Sequence, residues 1–182
     1  MRAAQEQYPC VELCCMDEHR LGLKPILGRV WGPTGQRPVA RVQHRFKWLY
    51  LYAFVCPQSG QNQFWLLPEV NTVAFGCALK AFAYSVGAGP HKHVLLVLDG
   101  AGWHVAHKLE IPEGITLLLL PPHSPELQPA EHLWSVTDIP LVNQHFLTLE
   151  HLQHTLEPHL AWLETQTERV RSLTHFHWWP SI

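Results

Sequence analysis

The sequence predicts an α/β fold in which helices flank a mixed five-stranded sheet. Three short apolar segments, residues 11–17, 93–98 and 115–120, are typical of buried strands. Residues 46–67 contain the aromatic and β-forming side chains of a hairpin, and residues 72–86 have the spacing of an amphipathic helix. A hairpin followed by alternating helices and strands is typical of a mixed sheet covered by helices.

The first half of the chain contains a strand, a hairpin and a helix. Residues 11–17 form the first predicted strand, and a stretch rich in glycine and proline follows it up to Pro38. Residues 39–56 contain the second strand, which a four-residue turn joins to the third strand at residues 63–67. Asn71 is a favourable N-cap for the following helix, and Gly87 is a favourable residue to end it.

The second half of the chain contains two strands and a helical remainder. Residues 93–98 form the fourth predicted strand, and residues 105–109 are compatible with a short helix. Residues 115–120 show no alternation of apolar and polar side chains, so we expect a fifth strand that is buried on both faces. The part from about residue 130 to residue 175 is predicted to be helical, with breaks at Pro140 and Pro158.

Composition indicates one globular domain that spans residues 1–182. The chain is 47% hydrophobic and 15% charged, which is typical of a folded protein with a sizeable core. No apolar run reaches the roughly 18–20 residues that cross a bilayer, and the first residues lack a signal-peptide core. These patterns predict a soluble cytoplasmic protein. The cysteines lie mostly in or beside apolar runs, where we expect small buried hydrophobic residues.

Three acidic residues follow apolar segments and could converge on one site. Asp17 and Asp99 end two predicted strands, and right-handed crossovers would place those strands side by side. Glu131 follows the fifth strand and a proline-rich turn. Three carboxylates in one place repel one another unless divalent cations neutralise them. We therefore predict that all three are catalytic and bind metal, with Asp17 shared between two Mg²⁺ ions and Asp99 and Glu131 on one ion each. Because adjacent strand residues face opposite sides, Glu18 is predicted to lie outside this site.

The positive charge of the chain is concentrated in one segment, although the formal net charge is −2. Residues 20–47, called the basic segment below, contain no Asp or Glu. Such a segment is typical of a surface that contacts the phosphate backbone of DNA, and a solvated hairpin face is the alternative. The predicted DNA-binding residues are Arg20, Lys24, Arg29, Arg37, Arg41, Arg45 and Lys47. His104 is a further candidate, either for phosphate or for a backbone carbonyl.

Three blocks of the sequence resemble the catalytic motifs of mariner-like DDE transposases of bacterial insertion sequences. Asp17-Glu18 with residues 31–38 (WGPTGQRP) resembles the first block, and residues 98–104 (LDGAGWH) resemble the second. Residues 120–134 (LPPHSPELQPAEHLW) resemble the third. The chain differs from the family at Gly100, where Asn is common, and at His123, Gln128 and Ala130, but each block keeps its acidic residue.

This resemblance implies an RNase H-like fold and metal-dependent DNA cleavage and strand transfer with Mg²⁺, for which Mn²⁺ can substitute. It also implies binding to transposon ends and to a target, TA, by a homo-oligomer assembled on the DNA. Full-length relatives have an N-terminal helix-turn-helix region, which is absent here. We therefore expect that a separately encoded half supplies it, or that the chain is a truncated remnant.

Two other functions are compatible with parts of the sequence. A catalytically idle transposase remnant would keep only DNA binding or multimerisation, although its three carboxylates would then have no reason to persist. The 14 histidines suggest a zinc hydrolase as a second alternative. The sequence lacks an HExxH motif and a Cys/His pair at zinc-finger spacing, which argues against zinc.

Overall fold

A five-stranded mixed sheet forms the centre of the molecule. A computed structural model describes residues 8–39, 43 and 45–180. The strands are β1 (Cys10–Gly22), β2 (Trp48–Cys56), β3 (Gln61–Leu67), β4 (Lys92–Leu98) and β5 (Ile115–Leu119), in the spatial order β3-β2-β1-β4-β5. β2 pairs antiparallel with both β1 and β3, whereas β4 pairs parallel with β1 and β5. The predicted mixed sheet of five strands is confirmed.

One long helix covers the first face of the sheet. α1 (Thr72–Val86) begins where the Asn71 side chain accepts a hydrogen bond from the backbone amide of Ala74, and it ends at Gly87 with φ 71°. Both ends agree with the sequence prediction, because Asn satisfies a free amide and glycine adopts the left-handed conformation without strain. The buried face of α1, which includes Phe75 and Phe82, packs against alternate residues of the central strands.

The C-terminal part of the chain covers the second face and contains only helical elements. Three short 3₁₀ helices, Pro125–Leu127, Pro129–Leu133 and Ile139–Leu141, surround the single-turn helix α2 (Trp134–Thr137). Two longer helices, α3 (Leu149–Glu164) and α4 (Thr167–Thr174), follow them. Leucines of α3 pack with Leu49 and Leu51 of β2, so this part is anchored to the sheet by apolar contacts.

Several local predictions were wrong. The second strand begins at Trp48, within the predicted range 39–56, whereas residues 105–109 form turns and bends instead of a helix. α3 continues through Pro158, because apolar packing of its buried leucines outweighs the hydrogen bond that proline cannot donate. β5 lies at the edge of the sheet, where Leu118 and Leu119 are 37% and 51% exposed, so this strand is not buried on both faces.

The cysteines have different environments. Cys15 is buried as predicted, whereas Cys10 and Cys77 are exposed. Cys14 and Cys56 lie opposite each other on β1 and β2 and form a disulfide, a pairing that the sequence spacing did not indicate. In the described part of the chain, no helix combines the length and the apolar character needed to cross a membrane.

Candidate active site

The pairing of β1 and β4 places Asp17 and Asp99 side by side. The parallel ladder aligns Cys14 with Leu96 and Cys15 with Val97, and continuing this register by two residues aligns Asp17 with Asp99. Side chains two residues apart in a strand point to the same face of the sheet. Cys15 and Val97 lie two residues before the two aspartates, and both belong to the core on the second face. Asp17 is therefore directed towards the C-terminal helical part, and Asp99, which lies just beyond the end of β4, lines the same cleft.

The 3₁₀ helix Pro129–Leu133 places Glu131 on the same face. Its neighbours Ala130 and Leu133 are fully buried against the second face, which fixes this short helix above the strand ends. The Gln128 side chain caps the helix by accepting a hydrogen bond from the backbone amide of Ala130. Asp17, Asp99 and Glu131 consequently line one cleft of about 430 Å³, together with Gly100, Ala101, residues 120–125 and Gln128.

Asp17 is the most perturbed carboxylate of the cleft. The pKa of Asp17 is raised to about 7, mainly by burial, with further contributions from the negative charges of Glu18, Glu131 and Asp99. A hydrogen bond of 2.9 Å from the backbone amide of Glu18 to Asp17 Oδ1 opposes these effects. The pKa of Glu131 is also raised, mainly by burial, with a further contribution from Asp99. The cleft thus concentrates negative charge at a cost in free energy.

The residues of the cleft fit a divalent cation. Among the described residues, no lysine or arginine forms an ion pair with any of the three carboxylates. The donor atoms are hard carboxylate oxygens, which Mg²⁺ and Mn²⁺ prefer. The three carboxylates are spaced too widely for one oxygen of each to lie within 4.8 Å of both others. In the described part of the chain, the one triplet that close is Glu12, Cys14 and Cys56, whose two sulfurs are joined in the disulfide.

Glu18 and His104 lie behind the cleft rather than in it. Glu18 faces the α1 side of the sheet, as predicted for the neighbour of Asp17. His104 is only 2% exposed, and its ring packs at a tilted angle against Phe75, with 4.5 Å between the ring centres. The prediction that His104 contacts a DNA phosphate is therefore wrong, because a buried ring cannot reach a phosphate. Instead, His104 contacts the backbone carbonyl and the carboxylate of Asp99.

The basic segment begins in the last residues of β1 and continues through the connection to β2, which is mostly exposed where the structure describes it. All six of its predicted DNA-binding residues that the structure describes are exposed, and none of them forms an ion pair with another described residue. Arg20 stacks over the Trp48 ring at 4.5 Å, and Arg45 donates a hydrogen bond to the Leu147 carbonyl. The seventh predicted residue, Arg41, lies outside the described residues.

Two groups of the site were missed by sequence reasoning. The buried Gln128 donates a hydrogen bond of 2.8 Å from Nε2 to the carbonyl of Met16, which directly precedes Asp17. His19 lies between Asp138, 3.1 Å away, and the ring of Trp134, on which it stacks at 4.8 Å. Both groups join β1 to the segment that contains Glu131. Only spatial proximity identifies them, since their partners are more than one hundred residues apart in sequence.

The fold and the cleft together define a domain of the RNase H-like type in which three carboxylates line one cleft. The DDE superfamily endonuclease family matches residues 12–153, so the chain belongs to that family. An uncharacterized protein of Sinorhizobium fredii, y4pE/y4sA, is 45% identical over 87 residues, which are 48% of this chain and 63% of that protein.

Two solved structures of the Mos1 mariner transposase have similar folds. The pre-cleavage Mos1 transpososome matches 96% of this chain and 56% of its own, with a TM-score of 0.62 and 17% identity. The Mos1 paired-end complex with Mn matches 90% of this chain and 54% of its own, with a TM-score of 0.59 and 19% identity. The RNase H-like fold is thereby confirmed. The chain spans just over half the length of these solved chains and 63% of the curated relative.

Proposed function

We propose that this chain is the catalytic domain of an insertion-sequence transposase, which cleaves DNA at transposon ends and joins the cut ends to target DNA. The observation that supports this proposal is the convergence of Asp17, Asp99 and Glu131 on one cleft of a DDE-family fold. Residues 1–182 act as one catalytic unit, in which the C-terminal helical part supplies the third carboxylate.

The three carboxylates would hold two Mg²⁺ ions, for which Mn²⁺ would substitute. Asp17 would contribute to both ions, and Asp99 and Glu131 would bind one each. When bound, such ions lower the pKa of the attacking water and stabilise the leaving 3′ oxygen. The carboxylates fix the charge of the site in advance, so little reorganisation is needed while a phosphodiester is cleaved. In strand transfer, the freed 3′-hydroxyl replaces water as the nucleophile.

The surroundings of the cleft support DNA as the substrate. The basic segment begins on β1 three residues after Asp17, and its exposed charges suit the phosphate backbone. The same connection exposes Trp31, Val39 and Phe46, which is unusual for a surface without a partner. We assign these residues to contacts within a homo-oligomer assembled on paired transposon ends, with TA as the target sequence.

Replacement of each carboxylate by its amide tests the proposal. Asp17→Asn, Asp99→Asn and Glu131→Gln each remove a metal-binding charge while keeping the shape of the side chain. Each should lower Mg²⁺- or Mn²⁺-dependent nicking of plasmid DNA at least about a hundredfold, because transition-state charge is no longer stabilised. Nicking is measured as conversion of supercoiled to open-circular DNA.

The exposed Glu126 provides the matched control for these variants. It lies in the same proline-rich segment but does not line the cleft, so Glu126→Gln should nick DNA at nearly the parent rate. A parent protein that binds DNA and never cuts it would instead support the idle remnant. An Asp99→Asn variant with parent activity would rule out the assigned site.

A further inference from the structure

A buried polar cluster lies behind the cleft, on the α1 side of the sheet. It consists of Glu18, Trp103 and His104. The side chains of Glu18 and His104 are only 6% and 1% exposed, and His104 Nε2 lies 2.9 Å from Glu18 Oε1. Trp103 donates a second hydrogen bond, of 3.0 Å, from its indole N–H to the same oxygen. These contacts fix the orientation of the imidazole ring.

The other ring nitrogen of His104 is directed at Asp99. His104 Nδ1 lies 2.8 Å from Asp99 Oδ1 and 3.1 Å from the Asp99 backbone carbonyl. Asp99 itself is 58% exposed at the end of β4. Within the described part of the chain, its carboxylate has one further contact, a hydrogen bond of 3.1 Å from the backbone amide of Ala101. The orientation of an otherwise exposed side chain therefore depends on a buried one.

Packing alone does not account for this cluster. Burying a carboxylate and an imidazole is costly, and apolar side chains of similar size would fill the space beside Phe75 at least as well. The cluster also joins the two aspartates of the cleft. Glu18 is the residue next to Asp17, and its backbone amide donates a hydrogen bond to Asp17 Oδ1. The contacts from Glu18 through His104 to Asp99 thus connect the Asp17 backbone to the Asp99 side chain.

We propose that His104 and Glu18 are positioning residues that hold the Asp99 carboxylate in its metal-binding orientation. This inference rests on the proposed function, since it takes Asp99 as a metal ligand. The sequence suggested that His104 contacts DNA. In the structure it contacts Asp99, the proposed metal ligand, instead. Residues that orient metal ligands by hydrogen bonds typically change metal affinity 10- to 100-fold when they are replaced.

Two substitutions of His104 separate positioning from packing. The amide nitrogen of Asn occupies roughly the place of histidine Nδ1, so His104→Asn keeps the donor to Asp99 and loses the contact to Glu18. The longer Gln reaches the place of Nε2, so His104→Gln keeps the contact to Glu18 and loses the donor to Asp99. Each variant keeps one of the two contacts, and we expect similar melting temperatures for the two.

The main measurement is the affinity of the DNA-free protein for Mn²⁺, determined by electron paramagnetic resonance or by calorimetry. We expect His104→Gln to weaken Mn²⁺ binding about 10- to 100-fold and His104→Asn to stay within a few-fold of the parent. Unchanged binding in both variants, or equal losses that follow the melting temperatures, would overturn the proposal. If His104→Gln does not fold, Glu18→Met provides the second test. Met has about the length of Glu but removes the oxygen that contacts both Trp103 and His104, so this variant should weaken Mn²⁺ binding more than its change in melting temperature accounts for.

Plasmid nicking, measured in parallel, distinguishes this proposal from the proposed function. Weaker Mn²⁺ binding in His104→Gln with a parent that never cuts DNA would support positioning and contradict the proposed function. A parent that cuts DNA, with Mn²⁺ binding unchanged in both variants, would support the proposed function and contradict the positioning role of His104. A parent that binds no Mn²⁺ would contradict both.

Discussion

Ionisation of the Asp17 carboxylate is unfavourable in the metal-free protein. This carboxylate is partly buried among three other carboxyl groups, and its pKa is raised to about 7. Below about pH 4 the group is protonated in both the folded and the unfolded chain. Between about pH 4 and pH 7 only the folded chain holds the proton, and above this range both forms are ionised. The contribution of Asp17 to the stability of the metal-free protein is therefore lost as the pH rises from 4 to 7.

Asp17→Asn should accordingly stabilise the metal-free protein at pH 8. The amide keeps the shape of the side chain without the charge, so we expect a gain of about 1–3 kcal/mol at pH 8 and little gain at pH 4. For a chain of this size, the gain corresponds to a rise in melting temperature of roughly 2–10 °C. Thermal unfolding in the presence of a chelator at the two pH values measures the effect.

Metal addition provides the complementary measurement. Mg²⁺ in excess should raise the melting temperature of the parent, because a ligand that binds only the folded chain stabilises it. The Asp17→Asn variant should gain much less. Glu126→Gln, which removes an exposed carboxylate, should behave like the parent. If the stability gain of Asp17→Asn over the parent were no larger at pH 8 than at pH 4, the argument that burial raises the pKa of Asp17 would be refuted.

The helical segment that contains Glu131 depends on contacts that bring it to β1. Gln128 is 3% exposed, donates a hydrogen bond to the Met16 carbonyl and caps the following 3₁₀ helix. The next link along this segment is the contact between Asp138 and His19, which is only partly buried. The position of the third carboxylate thus depends on side chains other than the three acidic residues of the site.

Gln128→Met tests this dependence. Met has nearly the same volume but leaves the buried Met16 carbonyl without its donor, which should cost about 1–3 kcal/mol of unfolding free energy. We also expect metal-dependent nicking to fall about 10- to 100-fold, because Glu131 is no longer fixed relative to Asp17. Gln153→Met is the control, since Gln153 bonds only the exposed Glu157 of the same helix. Parent activity in Gln128→Met, measured at full occupancy by metal, would contradict the assigned role.

The sequence was sufficient for elements whose signals are local. The caps of α1 and the apolar strand β4 were predicted correctly, because capping and periodicity act within a few residues. β5 was misjudged because its apolar side chains do not reveal that it is the edge strand. Asp99 directly follows β4, as predicted, whereas the prediction that Asp17 ends its strand was wrong, because β1 continues to Gly22. His104, in contrast, acts through a contact to Glu18 across 86 residues, which no local pattern reports.

At the scale of the whole molecule, the distribution of charge matters more than its sum. The formal net charge is −2, yet the described part of the basic segment exposes six lysine and arginine side chains, whereas three carboxylates line the cleft. DNA would be held at the positive region and positioned at the negative cleft once cations occupy it. Binding and cleavage should therefore be separable by mutation, since the two regions share no residue.

Neutralising Lys24, Arg29 and Arg37 together tests this separation. These side chains are exposed and form no described ion pair, so replacement by Gln should leave the fold intact. Binding to any DNA sequence should weaken, and the slope of log affinity against log salt should flatten by up to about 3, at roughly 0.9 per phosphate contact. Mn²⁺ binding should not change, because no carboxylate is altered. Fluorescence anisotropy over a salt series gives both the affinity and the slope.

A second triple variant, Lys108, Arg169 and Arg171 to Gln, removes the same amount of charge outside the basic segment. It controls for the general electrostatic effect, because both variants lower the formal net charge by three. If the segment contacts phosphates, the slope changes in the first variant and stays nearly constant in the second. Equal slopes in the two variants would mean that the basic segment is a solvated surface and that DNA binds elsewhere. The amide variants of the cleft should show the opposite behaviour, with DNA binding retained and cleavage lost.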